Sequence, residues 1–78
     1  MTFADMAGAA GLKEKPLYSV SEVSMASGVP ESVIRGAMSE GRIRHFLPPG
    51  RVRGQLIAPA WFDEWFVSGL KGGPGAEP

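Results

Sequence analysis

Five arginines, Arg35, Arg42, Arg44, Arg51 and Arg53, fall between positions 35 and 53 with Glu40 as the single acid among them, a local balance of +4. A guanidinium is a planar fork of donors that is always charged, and it matches phosphate oxygens two at a time. The flanking segments cancel this charge. Residues 1–34 and residues 54–78 each come to −2, so a net charge of zero conceals a dipolar chain. A polyanion responds to local charge on one face rather than to the total. The chemistry this pattern offers is recognition of a phosphate backbone.

Ser32, Gly36, Ser39 and His45 stand among the arginines and complete the candidate contact set. The hydroxyls and the imidazole can bond phosphate, and a glycine lets a partner backbone come close. Other chemistries lack their parts. With no Cys and one His, disulfides and Cys- or His-based metal sites are excluded. Ser32 and Ser39 lie in neither a P-loop nor a hydrolase elbow, and no acid or base pattern surrounds His45. No catalytic residue, metal or cofactor is expected, so the chain is not expected to be an enzyme. It has no apolar run of about 18 residues, the length a membrane span requires. Its amino end lacks the positive charge that precedes the apolar stretch of a secretory signal. A soluble, cytoplasmic protein with no membrane contact is the expectation, and the absence of Cys is compatible with it.

Three short helices and a two-stranded wing are needed to position these side chains. Ser19-Val20-Ser21-Glu22 has the spacing of a capping box, with Tyr18 and Val23 placed as a hydrophobic staple. Val20, Val23 and Ala26 give this helix its inward face, and Gly28 ends it. A second helix begins near Pro30. Its stripe of Ile34, Ala37 and Met38 turns Ser32, Arg35, Gly36 and Ser39 outward. Gly41 closes it and Ile43 returns to the core. Arg44-His45-Phe46-Leu47 and Gln55-Leu56-Ile57 can pair as a hairpin turned by Pro48-Pro49-Gly50. Arg51 and Arg53 near its tip share a side if that stretch is extended. Pro59 opens a third helix, Gly69 ends it, and Trp61, Phe62, Trp65 and Phe66 on it form the expected hydrophobic anchor. Met25 and Met38 are expected to fill the core.

The domain is expected to cover residues 17–68. Residues 1–16 are expected as a flexible arm or short helix, with Met1, Phe3 and Met6 free to pack on a neighbouring copy. Residues 69–78 are expected as a disordered Gly/Pro tail. The fold class is mostly α with a small β-hairpin, a winged helix-turn-helix. In that geometry the second helix enters a major groove with Arg35 on a base or phosphate, and Arg51 and Arg53 hold an adjacent minor groove. Arg42, Arg44 and His45 then grip the backbone between them. Direct readout is thin on so small a helix face, which points to several copies side by side on double-stranded DNA.

The runs Leu17-Tyr18-Ser19-Val20-Ser21-Glu22-Val23, Ser27 to Arg35, Glu40-Gly41-Arg42-Ile43 and Trp61 to Trp65 resemble phage excisionases with a MerR-like winged-helix fold. The likeness covers about Leu17 to Phe66. It implies a recombination directionality factor, itself no catalyst, that binds and bends attachment-site DNA cooperatively, head to tail. A partner integrase, a tyrosine or serine recombinase, then excises the prophage in the bacterial host. Two other functions stay open on the residues alone: a small MerR-like transcription regulator, and a protein-interaction adaptor that never meets DNA.

Overall fold

The computed structural model describes residues 2–69, so the expected tail lies outside the described residues apart from Gly69. The chain runs α1 (Phe3–Ala9), β1 (Tyr18–Ser19), α2 (Val20–Ser27), α3 (Glu31–Ser39), β2 (Leu56–Ile57) and α4 (Pro59–Ser68). It is a small, mostly helical domain with a two-stranded antiparallel sheet.

The fourth helix is α1, and it lies inside the domain. Thr2 and Asp5 form a reciprocal capping box at its start. At its end Gly11 takes a positive φ of 78°, Leu12 N–H donates to Ala7 O at 2.9 Å, and Gly11 N–H donates to Gly8 O at 3.1 Å. That pair of bonds is a Schellman closure. Phe3 is fully buried, its ring centroid 4.9 Å from Tyr18 and 5.3 Å from Phe62. Asp63 on α4 accepts from the Phe3 N–H at 2.7 Å. Of the two expectations for residues 1–16, the short helix is the one observed, and the folded domain begins at Phe3 rather than Leu17. Phe3 and Met6 belong to this chain's own core and are not free for a neighbour. The Tyr18 hydroxyl ties down the return segment by accepting from Lys15 N–H and donating to Lys13 O.

The expected boundaries of α2 hold. The Ser19–Glu22 capping box is formed in both directions, and Gly28 ends the helix at a φ of 78°. Gly28-Val29-Pro30 then turns the chain into α3, where Pro30 is the N-cap and its carbonyl accepts from Val33 and Ile34. Ile34, Ala37 and Met38 are buried as their spacing predicts. Gly41, at a φ of 75°, with Arg42 N–H on Ala37 O and Gly41 N–H on Met38 O, closes α3 in the same way that Gly11 closes α1. Met25 departs from expectation: it is 62 % exposed and fills no core space.

The sheet also differs from the expected hairpin. β2 pairs with β1, Tyr18 opposite Ile57 and Ser19 opposite Leu56. Arg44–Leu47 contributes one bridge, Phe46 to Leu56, closed by two N–H···O bonds of 2.8 Å. Pro48 and Pro49 carry no N–H with which to extend that pairing. Instead Pro48-Pro49-Gly50-Arg51 makes a tight turn, with Arg51 N–H on Pro48 O at 3.1 Å and Gly50 at a φ of 87°. On α4 the burial is uneven: Phe62 is fully buried, whereas Trp61, Trp65 and Phe66 pack against the core from its edge. The anchor is therefore Phe62 with Phe3 and Tyr18, not the four α4 rings together.

Removing Phe3 should leave a cavity among these rings, and Phe3→Ala is expected to cost about 3–5 kcal/mol, as is Phe62→Ala. Half-buried Trp65→Ala should cost less, about 1–2 kcal/mol. Urea titrations of the three variants check the ranking; a Phe3→Ala loss smaller than that of Trp65→Ala would contradict it. Acid should also weaken the fold through its caps. The Lys15 ammonium and then the Ser19 N–H hold the Glu22 carboxyl below its ordinary value, and the Thr2 N–H and hydroxyl do the same for Asp5. A carboxyl whose folded value is depressed contributes stability above its unfolded value and loses it as pH falls through the folded one. Thermal melts should therefore fall as pH drops below the ordinary carboxylate range, and Glu22→Gln should flatten that decline.

Candidate nucleic-acid interface

α3 buries one side and presents the other. Ser32, Arg35 and Ser39 are exposed and Gly36 is half-buried. A Cβ at Gly36 would meet nothing within 4 Å, so no neighbour in the fold requires a glycine at this helical position. Arg35 pairs with Glu31 one turn earlier at 3.4 Å, both side chains about half exposed. An exposed i,i+4 pair contributes about 0.3–0.5 kcal/mol, so a phosphate can take its place at little cost.

Arg35 and Ser39 line an open concavity of about 270 Å³ together with His45 and Gln55 from the chain beyond α3, over Met38. The Phe46–Leu56 bridge brings those two residues to the helix, since each is next in sequence to a bridged partner. His45 Nδ1 lies 3.1 Å from Ile43 O, which orients the ring. Gln55 was not among the residues singled out from the sequence. Its signal was its place in the segment expected to pair with Arg44–Leu47, which follows α3, and its amide can bond an adenine edge with two bonds.

The other arginines are distributed differently. Arg42 pairs with Glu40 at 3.1 Å, and Arg44 reaches Glu64 on α4 at 3.6 Å. The chain bends at Val52 and Arg53, so the extended alternation that would align Arg51 with Arg53 is not formed. Arg51 instead turns back: its guanidinium packs against Gly54, and its Nε lies 3.4 Å from Arg53 O. Among the described residues neither Arg51 nor Arg53 has a carboxylate partner. Val52 stands between them, 87 % exposed. The structure thus brings Arg35, Ser39 and His45 together, keeps Arg51 and Arg53 on one loop, and sets Arg42 and Arg44 against acids in exposed pairs.

Among the described residues no group of His, Asp and Glu could hold a metal ion, and no helix is long and apolar enough to cross a membrane. Compared with protein-family models, with curated proteins and with solved structures, the chain matches none.

Proposed function

We propose that this chain is a winged helix-turn-helix protein that binds double-stranded DNA as an architectural factor of the excisionase kind, bending attachment-site DNA so that a partner integrase can excise. The observation that carries the reading is the concavity in which Arg35 and Ser39 of α3 meet His45 and Gln55, beside a loop with two arginines that no acid among the described residues holds. α3 is the recognition helix. Its polar face, Ser32, Arg35, Gly36 and Ser39, is laid against a major groove. The loop with Arg51 and Arg53 reaches the adjacent minor groove, where a narrow groove concentrates negative potential. Arg42 and Arg44 exchange Glu40 and Glu64 for phosphates, a trade between weak exposed pairs and a dense polyanion.

So small a reading face discriminates modestly, at about 1–3 kcal/mol for each good base contact. Affinity for a site then draws on deformation of the duplex and on neighbouring copies bound head to tail. An excision assay with and without the integrase separates this role from promoter regulation by the same fold.

Titration of the protein against duplex DNA at several salt concentrations tests the reading directly. With about four phosphates neutralised, log affinity should fall against log salt with a slope near −3.6, and Arg51→Ala with Arg53→Ala should make it shallower by about 2. Indifference to duplex DNA in dilute buffer would falsify the proposal. Gly36→Ala gives a second, opposed pair of readouts. The helix should gain about 0.5–1 kcal/mol, because alanine has the better propensity and the space is open. DNA affinity should fall about tenfold, because the added methyl holds the duplex off. A stabilised variant that binds as tightly as the parent removes Gly36 from the interface.

A further inference from the structure

Two residues of α3 suit the helix that holds them poorly, and they stand one turn apart. Val33 is 48 % exposed, so it gains little from burial, and its β-branched side chain lowers helix propensity. Gly36 weakens a helix interior, and the open space around it shows that packing does not require a glycine there. The fold accounts for neither residue. What they share is the surface they shape.

At about 100° per residue, Gly36 lies between Arg35 and Val33 around the helix. Its neighbours one turn away are Ser32, Val33, Ser39 and Glu40. The missing side chain leaves a methyl-sized notch, and of those four neighbours Val33 is the single apolar one. Arg35 lies on the other flank, where it lines the concavity with Ser39, His45 and Gln55. Glu40 is paired with Arg42, which offsets its charge. The exposed face of α3 thus has a cationic flank and an apolar flank. Arg51 and Arg53, without a carboxylate partner among the described residues, give the matching partner a negative sign. A polyanion that admits a helix and offers it a methyl group is duplex DNA, where thymine carries its 5-methyl into the major groove.

We propose that the notch formed by Val33 and Gly36 reads thymine. The 5-methyl of one thymine sits over the bare Cα of Gly36 and against the Val33 side chain, while Arg35 on the other flank meets phosphate or a purine edge. The assignment deepens the DNA reading above and rests on it. It gives sequence preference to two residues whose side chains offer no hydrogen bond. It also sets which way α3 lies in the groove, because the apolar flank has to face the thymine.

A pool of duplexes with a randomised centre, offered to the full chain, yields the sequences it binds. In the tightest of them each thymine is then replaced singly by deoxyuridine, which removes the methyl and keeps the pairing edge. One replacement should weaken binding about three- to fivefold, the effect of one buried methyl. Val33→Ala keeps the fold, because the side chain is exposed and alanine is the better helix former, and it should bind the thymine and uracil duplexes alike. Gly36→Ala should bind the uracil duplex more tightly than the thymine one, since its own methyl takes the vacated place. With a G·C pair at that position, 5-methylcytosine should bind about three- to fivefold more tightly than cytosine, which isolates the methyl from the rest of thymine. Uracil replacements that are all neutral, a uracil loss that persists in Val33→Ala, or a Gly36→Ala protein that keeps the parent's preference for thymine each overturn the assignment. Where binding still falls with salt in those cases, the DNA reading stands without it. A chain that selects no duplex from the pool ends both.

Discussion

Three rings contributed by segments far apart in sequence meet in the middle of the domain, Phe3 edge to face with Tyr18 and tilted against Phe62, and the rest of the molecule is arranged around that meeting. A chain of this length has little interior, no disulfide and no metal cluster among its described residues to close it. The rings supply that closure because each brings a different element with it. Phe3 carries α1, fastened to α4 through Asp63; Tyr18 leads through β1 into the capped start of α2; Phe62 belongs to α4 itself. Ile34 and Ile43, both fully buried, then attach α3 and the segment after it to the same interior. The orientation of α3, and with it the position of Arg35, is set by contacts on the face opposite to Arg35.

Rigidity and availability are divided between these two faces. Below α3, Ile34, Ala37 and Met38 are packed, and the glycine-ended turns on either side fix where the helix starts and stops. Above it, the polar groups are held by bonds that are easily exchanged: Arg35 to Glu31, Arg42 to Glu40 and Arg44 to Glu64, each between exposed side chains. Exposed pairs of this kind hold side chains in approximate position without a large desolvation term to overcome when a stronger anion arrives. A surface prepared in this way can meet a phosphate backbone with little loss of internal stabilisation.

Local rules were enough to place most of the helical frame. Ser19 and Glu22 at capping-box spacing, Gly28 and Gly41 after apolar stripes, and Pro59 ahead of the aromatics each marked a boundary where the structure has one. The misses share a cause, which is that long-range partners decide them. Thr2 and Asp5 form a capping box, and Gly11 with Leu12 forms a Schellman closure, so α1 was locally encoded. What the local pattern could not supply was the site on α4 and β1 that buries Phe3. Likewise β2 had two possible partners, the segment after α3 and the segment before α2. Burial of Tyr18 opposite Ile57 favours the second, while the Pro48-Pro49 turn limits the first to one bridge. Met25 shows the converse: its apolar identity suggested the interior, but α2 presents it at the rim of a groove that exists only because α1 packs there. In the candidate site, Arg35 and Ser39 were visible from helical spacing, whereas Gln55, read from the sequence only as part of a wing strand, joins them through the Phe46–Leu56 bridge of that expected pairing.

The charge pattern follows the same division of elements. Every cation between positions 35 and 53 belongs to α3 or to the chain between α3 and β2, whereas α1, α2 and α4 carry acids and no Lys or Arg. A polyanion would therefore find its attraction on α3 and the loop after it, where Arg51 and Arg53 have no carboxylate partner among the described residues. Were a duplex the partner, that field would orient the domain before close contact, and salt would weaken it over a distance of about 8–10 Å.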